Sequence, residues 1–429
     1  MKYLEYKIRD SRENLYKIVM LLIWGIFFYS TIIQYKYIEI PNAMFIIGAT
    51  ILLFFLLCIN GEPFSMNALF STECVWMIGF MVYMLTIVQV SAIHPLNHLK
   101  MCITSAEYLF ILLVIVYIVS RSGTDSIQLL LIVTAIVLGV ILLKSPVLYT
   151  TGRYSISRSL NPNYVGMCFT AGIWSILYFQ QKKKVPVVIA LMLTAFLEYC
   201  ALLTGSRKAL IASGIVFFLW IIFCYFSSLD NTTIGKRIIY FALVVSIVII
   251  LYIWLESEYS NSLIAQRMAR LKNEVTVGER AQLYITGWNL FKKNPIFGIG
   301  FTGLTGLIGE DSHATIVEIP VSGGIIGTFI YFVSYIISIR KCLILLNICK
   351  NSAKFRDYLN DIRMLLILWV AMIFYSTCII HPFQFLSHVT FGIIFGKSEN
   401  LSKRIAEVAI KKDDMRSNGR HAQSIYIKD

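Results

Sequence analysis

The chain has 429 residues, 57% of them hydrophobic and 14% charged, with a formal net charge of +14. Soluble domains carry about 25% charged residues, so this composition excludes a water-soluble globular fold. Repeated apolar runs of bilayer length point instead to a polytopic helical membrane protein, since a barrel would show alternating segments of about ten residues. The positive charge does not mark a nucleic-acid binder, because the basic residues collect in short segments between apolar runs and in the tail, as the positive-inside rule requires.

The N-terminal stretch MKYLEYKIRDSRENLYK leads into an apolar run with no small-residue cleavage site, and is expected to precede an uncleaved first span. Twelve spans are expected, over residues 18–33, 43–59, 75–93, 101–120, 127–143, 164–179, 185–203, 209–226, 238–255, 319–339, 364–380 and 383–395. The last two, joined through His381-Pro382, could instead form a re-entrant hairpin. The fold class is therefore all-α, with one large extracytoplasmic loop. It divides into a transmembrane bundle (1–255), the loop (256–318), C-terminal helices (319–396) and a basic, partly disordered cytoplasmic tail (397–429). The cysteines lie in or beside apolar runs and form no C-x-x-C pair, as small buried hydrophobes would.

With both termini cytoplasmic, the inner segments hold 25 of the 38 basic residues and the outer ones 13. Eleven of those 13 lie in three places: Lys144 to Arg158, Arg207-Lys208, and the loop from Glu256 to Glu318. They oppose the topology signal, and a site for an anionic ligand at the outer face is the simplest reason for them. The first of these places continues into a polar turn, Ser159-Leu160-Asn161-Pro162-Asn163, so Arg153 and Asn163 join the candidates. Arg207, in Thr204-Gly205-Ser206-Arg207-Lys208, reads either as a snorkelling interfacial arginine or as a planar fork for phosphate oxygens.

Within the large loop, residues 256–274 are expected to form an interfacial helix. A second helix opens at Glu279 and closes at Lys292-Lys293, charges that suit its dipole, and Asn294-Pro295 stops it. Arg280, Tyr284, Trp288 and Phe291 share one of its faces, which is expected to turn inward. Gly298, Gly300, Gly303 and Gly306 follow, either as a flexible crossing of the membrane surface or as a close backbone approach to a ligand. His313 then leads into the next span, beside Glu310, Asp311 and Glu318, and is placed to act as a general base. Gly323-x-x-x-Gly327 in that span permits close helix approach.

Walker, H-E-x-x-H and G-x-S-x-G motifs are absent, and the first outer loop has only Glu39, which disfavours a metal-dependent glycosyltransferase with loop carboxylates. Glu107 and Glu198 are the mid-span acidic residues, either structural or substrate-lining.

The run WNLFKKNPIFGIGF (Trp288 to Phe301), followed by HATIVEIPVSGGIIG (His313 to Gly327), resembles the O-antigen ligase/polymerase family of bacterial membrane glycosyltransferases. Thr-Gly-Ser-Arg before one span and Asn-Pro-Asn at the head of another match upstream elements of that family. The resemblance implies a GT-C-like, metal-independent, inverting glycosyltransferase of the bacterial inner membrane that needs no cofactor. Its donor is a glycan on undecaprenyl pyrophosphate, used at the extracytoplasmic face. By motif match His313 acts on the acceptor, and Arg207 and Arg280 bind the pyrophosphate; Arg153, Asn163, Glu318 and Trp288 are further candidate substrate contacts. The chain departs from the family at Ala314, where asparagine is common, and at Ser322, where an acidic residue is common.

The expected activity is polymerisation of lipid-linked repeat units, with the growing glycan chain, membrane lipids, a chain-length regulator and a flippase as partners and no role for nucleic acid. A ligase passing the finished glycan to lipid A core or another acceptor is the alternative, and a flippase or other transporter of lipid-linked glycan is the alternative from another class.

Overall fold

A backbone amide without a partner costs several kcal/mol in lipid, so apolar segments must close their hydrogen bonds within themselves. The computed structural model describes residues 22, 24–26, 28–29, 71–90, 92–150, 153–158, 160–225 and 276–425, and is overwhelmingly helical. The first helices are α1 (Thr72–Thr86), α2 (Pro95–Ser122) and α3 (Asp125–Lys144). A short antiparallel hairpin follows, β1 (Val147–Thr150) and β2 (Arg153–Ser155), an exception to the all-α expectation. Then come α4 (Pro162–Gln181), α5 (Val187–Leu203) and α6 (Arg207–Trp220), the last running on as a π turn. The rest comprises α7 (Thr276–Lys293), α8 (Gly303–Ile308), α9 (Thr315–Asn351), α10 (Leu359–Ser376) and α11 (Phe385–Ile425).

The expected spans from 75–93 to 209–226, and from 319–339 to 383–395, each fall on one of these helices. The spans at 43–59 and 238–255, most of the first span and the interfacial helix at 256–274 lie outside the described residues. Among the described residues, five helices are long and apolar enough to cross a membrane, and α1 and α5 are shorter apolar ones. The expectation of a partly disordered tail meets a helix that runs on to Ile425, and a 3-10 turn at His381–Phe383 links α10 to α11. The eight described cysteines are all buried, as small hydrophobes would be.

The helices alternate in direction, so polar connections collect at two ends. One end is closed by buried and half-buried ion pairs: Asp361 takes Lys182 at 2.5 Å and Lys397 at 3.1 Å, and Lys341 takes Glu399 at 2.7 Å and Glu73 at 3.5 Å. The other end holds the hairpin, the starts of α4, α6 and α9, the end of α10 and the whole of α7.

One helix does not close its own bonds. In α9 Pro320 has no N–H, and Gly324 breaks the helix at φ 62 and ψ −162. The segment after α7 fills the gap. Ile299 and Gly300 donate to the Val321 and Ser322 carbonyls, both at 2.9 Å, and Ile325 and Ile326 donate to the Pro295 and Ile296 carbonyls at 2.8 and 3.5 Å. The glycine-rich stretch is therefore neither a flexible crossing nor an open cradle. It is a close backbone approach, made to the chain's own broken helix. Tyr83 of α1 seals it, donating to the Gly323 carbonyl at 2.6 Å while its ring lies over Gly327, so Gly323-x-x-x-Gly327 does admit a neighbouring helix. His98 of α2 supports the same loop: its Nδ1 accepts from the Phe301 N–H at 2.6 Å, and its Nε2 donates to the Met84 carbonyl at 2.7 Å.

Gly298 has φ +72, and a Cβ there would stand 2.5 Å from the Ser322 carbonyl and the Gly324 nitrogen. Because these are backbone atoms inside the splice, Gly298→Ala is expected to destabilise the protein by more than about 1 kcal/mol. Gly214→Ala, at a helical site with open space around it, should be neutral or slightly stabilising. Thermal unfolding of both variants in detergent checks this, and equal melting temperatures would refute the role given to the splice.

Candidate functional site

Two sequence motifs begin as helix starts. Asn161 caps α4, its side chain accepting from the Asn163 N–H at 2.9 Å, with Pro162 in the first turn where no amide is needed. Ser206 caps α6 through the Ala209 N–H at 3.4 Å. The two helix starts are pressed together because α4 carries Gly166 where they cross, and a Cβ there would stand 2.4 Å from that of Ala209. That closeness joins their polar residues: Asn163 Oδ1 accepts from Ser206 Oγ at 2.9 Å and from Arg153 Nη2 at 2.7 Å. Arg153 Nε reaches the Thr204 carbonyl at 3.5 Å. Arg153 and Asn163 are thus brought together, and part of the Arg153 fork is spent within the protein.

Arg207 and Lys208 stand in the first turn of α6, with Arg207 exposed. The positive end of a helix dipole disfavours a nearby cation by about 0.3–1 kcal/mol, so the placement of the exposed Arg207 is unfavourable unless an anion is present. Lys208 Nζ donates to the Cys378 carbonyl at the end of α10. Next to it, the Ile379 carbonyl accepts from the Thr315 N–H at 2.9 Å and from Thr315 Oγ1 at 2.5 Å, and the His381 N–H donates to Thr315 Oγ1 at 2.9 Å. The starts of α6 and α9 are therefore tied to one turn, and the Arg207 and His313 segments lie at the same end of the bundle.

His313 sits between buried Ser312 and buried Ala314 and is itself exposed, in a left-handed backbone conformation with φ 53. Non-glycine residues rarely adopt this conformation, and it clusters at functional sites. Asp311 holds it: Oδ1 accepts from the His313 N–H at 2.9 Å and contacts Nδ1 of the ring. Burial pushes the Asp311 carboxyl up, but its hydrogen bonds from His313 and the charges of His313 and Lys208 outweigh burial, and the carboxyl ends below its ordinary value.

Glu318, a candidate substrate contact, is 1% exposed. Its two oxygens accept from Ser312 at 2.8 Å and Ser322 at 3.0 Å, so it braces the His313 loop against the broken helix. The expectation that the Tyr284–Trp288–Phe291 face of α7 packs inward is corrected at Trp288, which is 57% exposed and stacks on the half-buried Phe291. Gly287 lets α7 settle on Val317 and Val321, and the neighbouring Trp288 is left exposed. Tyr284 nonetheless donates to the Thr377 carbonyl at 3.3 Å, bringing α7 to the same turn. Arg280 lies in α7 one turn before Tyr284, and its side chain lies outside the described residues.

Two of the other described histidines serve the fold. His98 supports Phe301 as above, and the buried His381 contacts Ser387 Oγ at 2.8 Å and the Met372 carbonyl at 3.1 Å. Sequence reading missed Asp311 as a partner of His313, as well as the Ser206–Asn163 bond. The D-x-H spacing and the serine preceding Arg207 were the available signals.

Residues 189–332 match the family model described as O-Antigen ligase. This agrees, over that segment, with the resemblance carried by the sequence motifs. The segment spans Arg207, Arg280, Trp288, His313 and Glu318, together with the break in α9, and stops short of Arg153 and Asn163 on the N-terminal side. No curated protein matches the chain.

The Arg153–Asn163 bond can be tested alone. A double-mutant cycle with Arg153→Ala and Asn163→Ala, read by denaturant unfolding in detergent, should give a coupling energy of at least about 0.5 kcal/mol. Strict additivity would show that the pair does not order this end of the bundle.

Proposed function

We propose that the chain is a polysaccharide polymerase that joins undecaprenyl-pyrophosphate-linked repeat units at the outer face of the cytoplasmic membrane. The observation that carries this reading is an exposed histidine, held by a carboxylate in a rare backbone conformation, at the end of the bundle where two cations crowd one helix start. The acceptor is a sugar hydroxyl and must lose a proton, which His313 accepts as general base. The donor leaves as a lipid pyrophosphate, already a good leaving group, so it needs charge neutralisation more than an acid. Arg207 and Arg280 supply that neutralisation through charge-assisted hydrogen bonds. Attack in line at the anomeric carbon inverts its configuration and transfers the glycan to the acceptor oxygen. Arg153 and Asn163 order the floor of the donor site, and the exposed Trp288–Phe291 stack offers a sugar an aromatic face. Glu318, enclosed by serines, supports the His313 loop.

The family match favours one second reading, the ligase reaction, in which the same residues pass a finished glycan to a different acceptor. Purified protein given undecaprenyl-pyrophosphate-linked oligosaccharide alone separates them: a ladder of multiples marks the polymerase, and turnover only with a foreign acceptor marks the ligase.

His313→Ala is expected to abolish product while leaving the folded yield intact. Arg207→Ala and Arg280→Ala should each impair donor use at least about tenfold. Arg→Lys at either site should rescue poorly, because a lysine cannot reproduce the bidentate fork. Polymer of wild-type length and yield from His313→Ala cells would overturn the assignment of the base.

A further inference from the structure

We propose that Asp311 is the positioning residue for His313, fixing which ring nitrogen carries the proton and stabilising the charged imidazolium after proton transfer; this rests on the reading of His313 as the base. The geometry is that of a dyad. One carboxylate oxygen, Asp311 Oδ1, accepts from the His313 backbone N–H at 2.9 Å and meets Nδ1 of the same residue's ring. Backbone and side chain are thus gripped by a single acceptor, which stabilises the left-handed conformation at His313.

The loop around the pair is anchored on both sides. Ser312 is fixed to Glu318, and Thr315 to the Ile379 carbonyl, so His313 is displayed from a rigid frame. An ionised carboxylate can only accept, so the proton of the neutral ring resides on Nδ1, and the Nε2 lone pair is presented away from Asp311. That is the nitrogen a base must offer. Proton transfer from the acceptor hydroxyl to Nε2 yields an imidazolium whose Nδ1–H remains bonded to the carboxylate; Asp311 takes no proton.

The charges around the pair act in both directions, and the contacts with His313 and the charge of Lys208 prevail at Asp311. Lys208, from the start of α6, acts on Asp311 and helps to keep its carboxyl below the ordinary value. Glu310 flanks the pair in the same loop, and Glu318 lies beneath it with both oxygens engaged by serines. With its proton affinity lowered, Asp311 stays ionised through neutral pH and into the acid range, and its hold on His313 is lost only as pH falls through that lowered value.

The test measures kcat, KM and the pH–rate profile of purified wild-type, Asp311→Asn and His313→Ala protein on undecaprenyl-pyrophosphate-linked oligosaccharide from the producing cells. Asp311→Asn keeps an oxygen for the backbone N–H and removes the charge. It should lower kcat by about ten- to a hundredfold with KM for the lipid-linked donor within about twofold, the pattern of an effect on the reacting state. An imidazole bonded to a neutral amide holds its proton less tightly than one bonded to a carboxylate, so the acidic limb of the profile should move to lower pH. An unchanged limb in Asp311→Asn, with His313→Ala inactive, overturns the Asp311 role and leaves the proposed function standing. Wild-type activity in His313→Ala overturns both. Should Asp311→Asn fail to fold, Asp311→Glu keeps the charge but displaces it by one methylene; kcat should fall severalfold with the acidic limb unmoved, and a wild-type kcat would refute positioning.

Discussion

The structure of the site end depends on one exchange of backbone hydrogen bonds. The break in α9 at Gly324 would leave the Val321 and Ser322 carbonyls and the Ile325 and Ile326 amides without partners inside an apolar bundle, at a cost of several kcal/mol for each unmet group. The segment after α7 meets all four. The first half of α9 is therefore held at one end by residues 295–300 and at the other by Thr315 on the Ile379 carbonyl. Glu318 lies between these anchors and is gripped by Ser312 and Ser322. His313 sits at the head of this braced piece, so its position follows from a splice more than a turn of helix away.

The two ends of the bundle treat charge in opposite ways. At one end, Lys182, Lys397 and Lys341 are matched to Asp361, Glu73 and Glu399, with Asp361, Glu73 and Lys397 buried. Removing one partner from such a cluster leaves an uncompensated buried charge, which is strongly destabilising, so these groups close the bundle. At the other end, Arg207 is exposed and, with Lys208, crowds the positive pole of a helix. No carboxylate among the described residues pairs with Arg207. Cations so placed oppose the helix dipole, and the opposition is relieved when an anion arrives, because the helix N-terminus, Arg207 and Lys208 would then all attract the same charge.

Much of this was legible in the sequence. Apolar runs located the described helices, because in lipid a run of that length has few folds open to it. The Asn-Pro-Asn and Thr-Gly-Ser-Arg motifs marked the site end, and their capping chemistry explains half of what they do: Asn161 and Ser206 start helices, which places Asn163 and Arg207. The inward turn of Trp288 on α7 was misread, because periodicity identifies a shared face and cannot say which face a neighbour will accept. Gly287 on Val317 and Val321 settled that. The glycine-rich stretch was read with a ligand or open water in view, whereas its partner is a helix that the sequence presents as continuous. Only the pairing of residues 295–300 with 321–326 reveals it, and such pairing leaves no local signature. The bracing by Glu318 was likewise hidden, because its two serine partners are spread along the chain, at Ser312 and Ser322.

The same geometry explains why one histidine out of several carries the proposed chemistry. A buried imidazole with both nitrogens engaged, like those of His98 and His381, has no lone pair to offer and no path for a hydroxyl to reach it. His313 has one nitrogen committed to a carboxylate and stands exposed, so the commitment of Nδ1 leaves Nε2 as the basic position. On the proposed reading the reaction separates into two electrostatic tasks. A carboxylate stabilises the positive charge that builds on the ring, and cations stabilise the negative charge that builds on the leaving pyrophosphate. Lys208 joins the two, since it stands beside Arg207 in sequence and acts on Asp311 in space. The donor and acceptor halves of the site are therefore built on one framework of helix starts and one α10 turn, and a shift of α6 relative to α9 would disturb both at once.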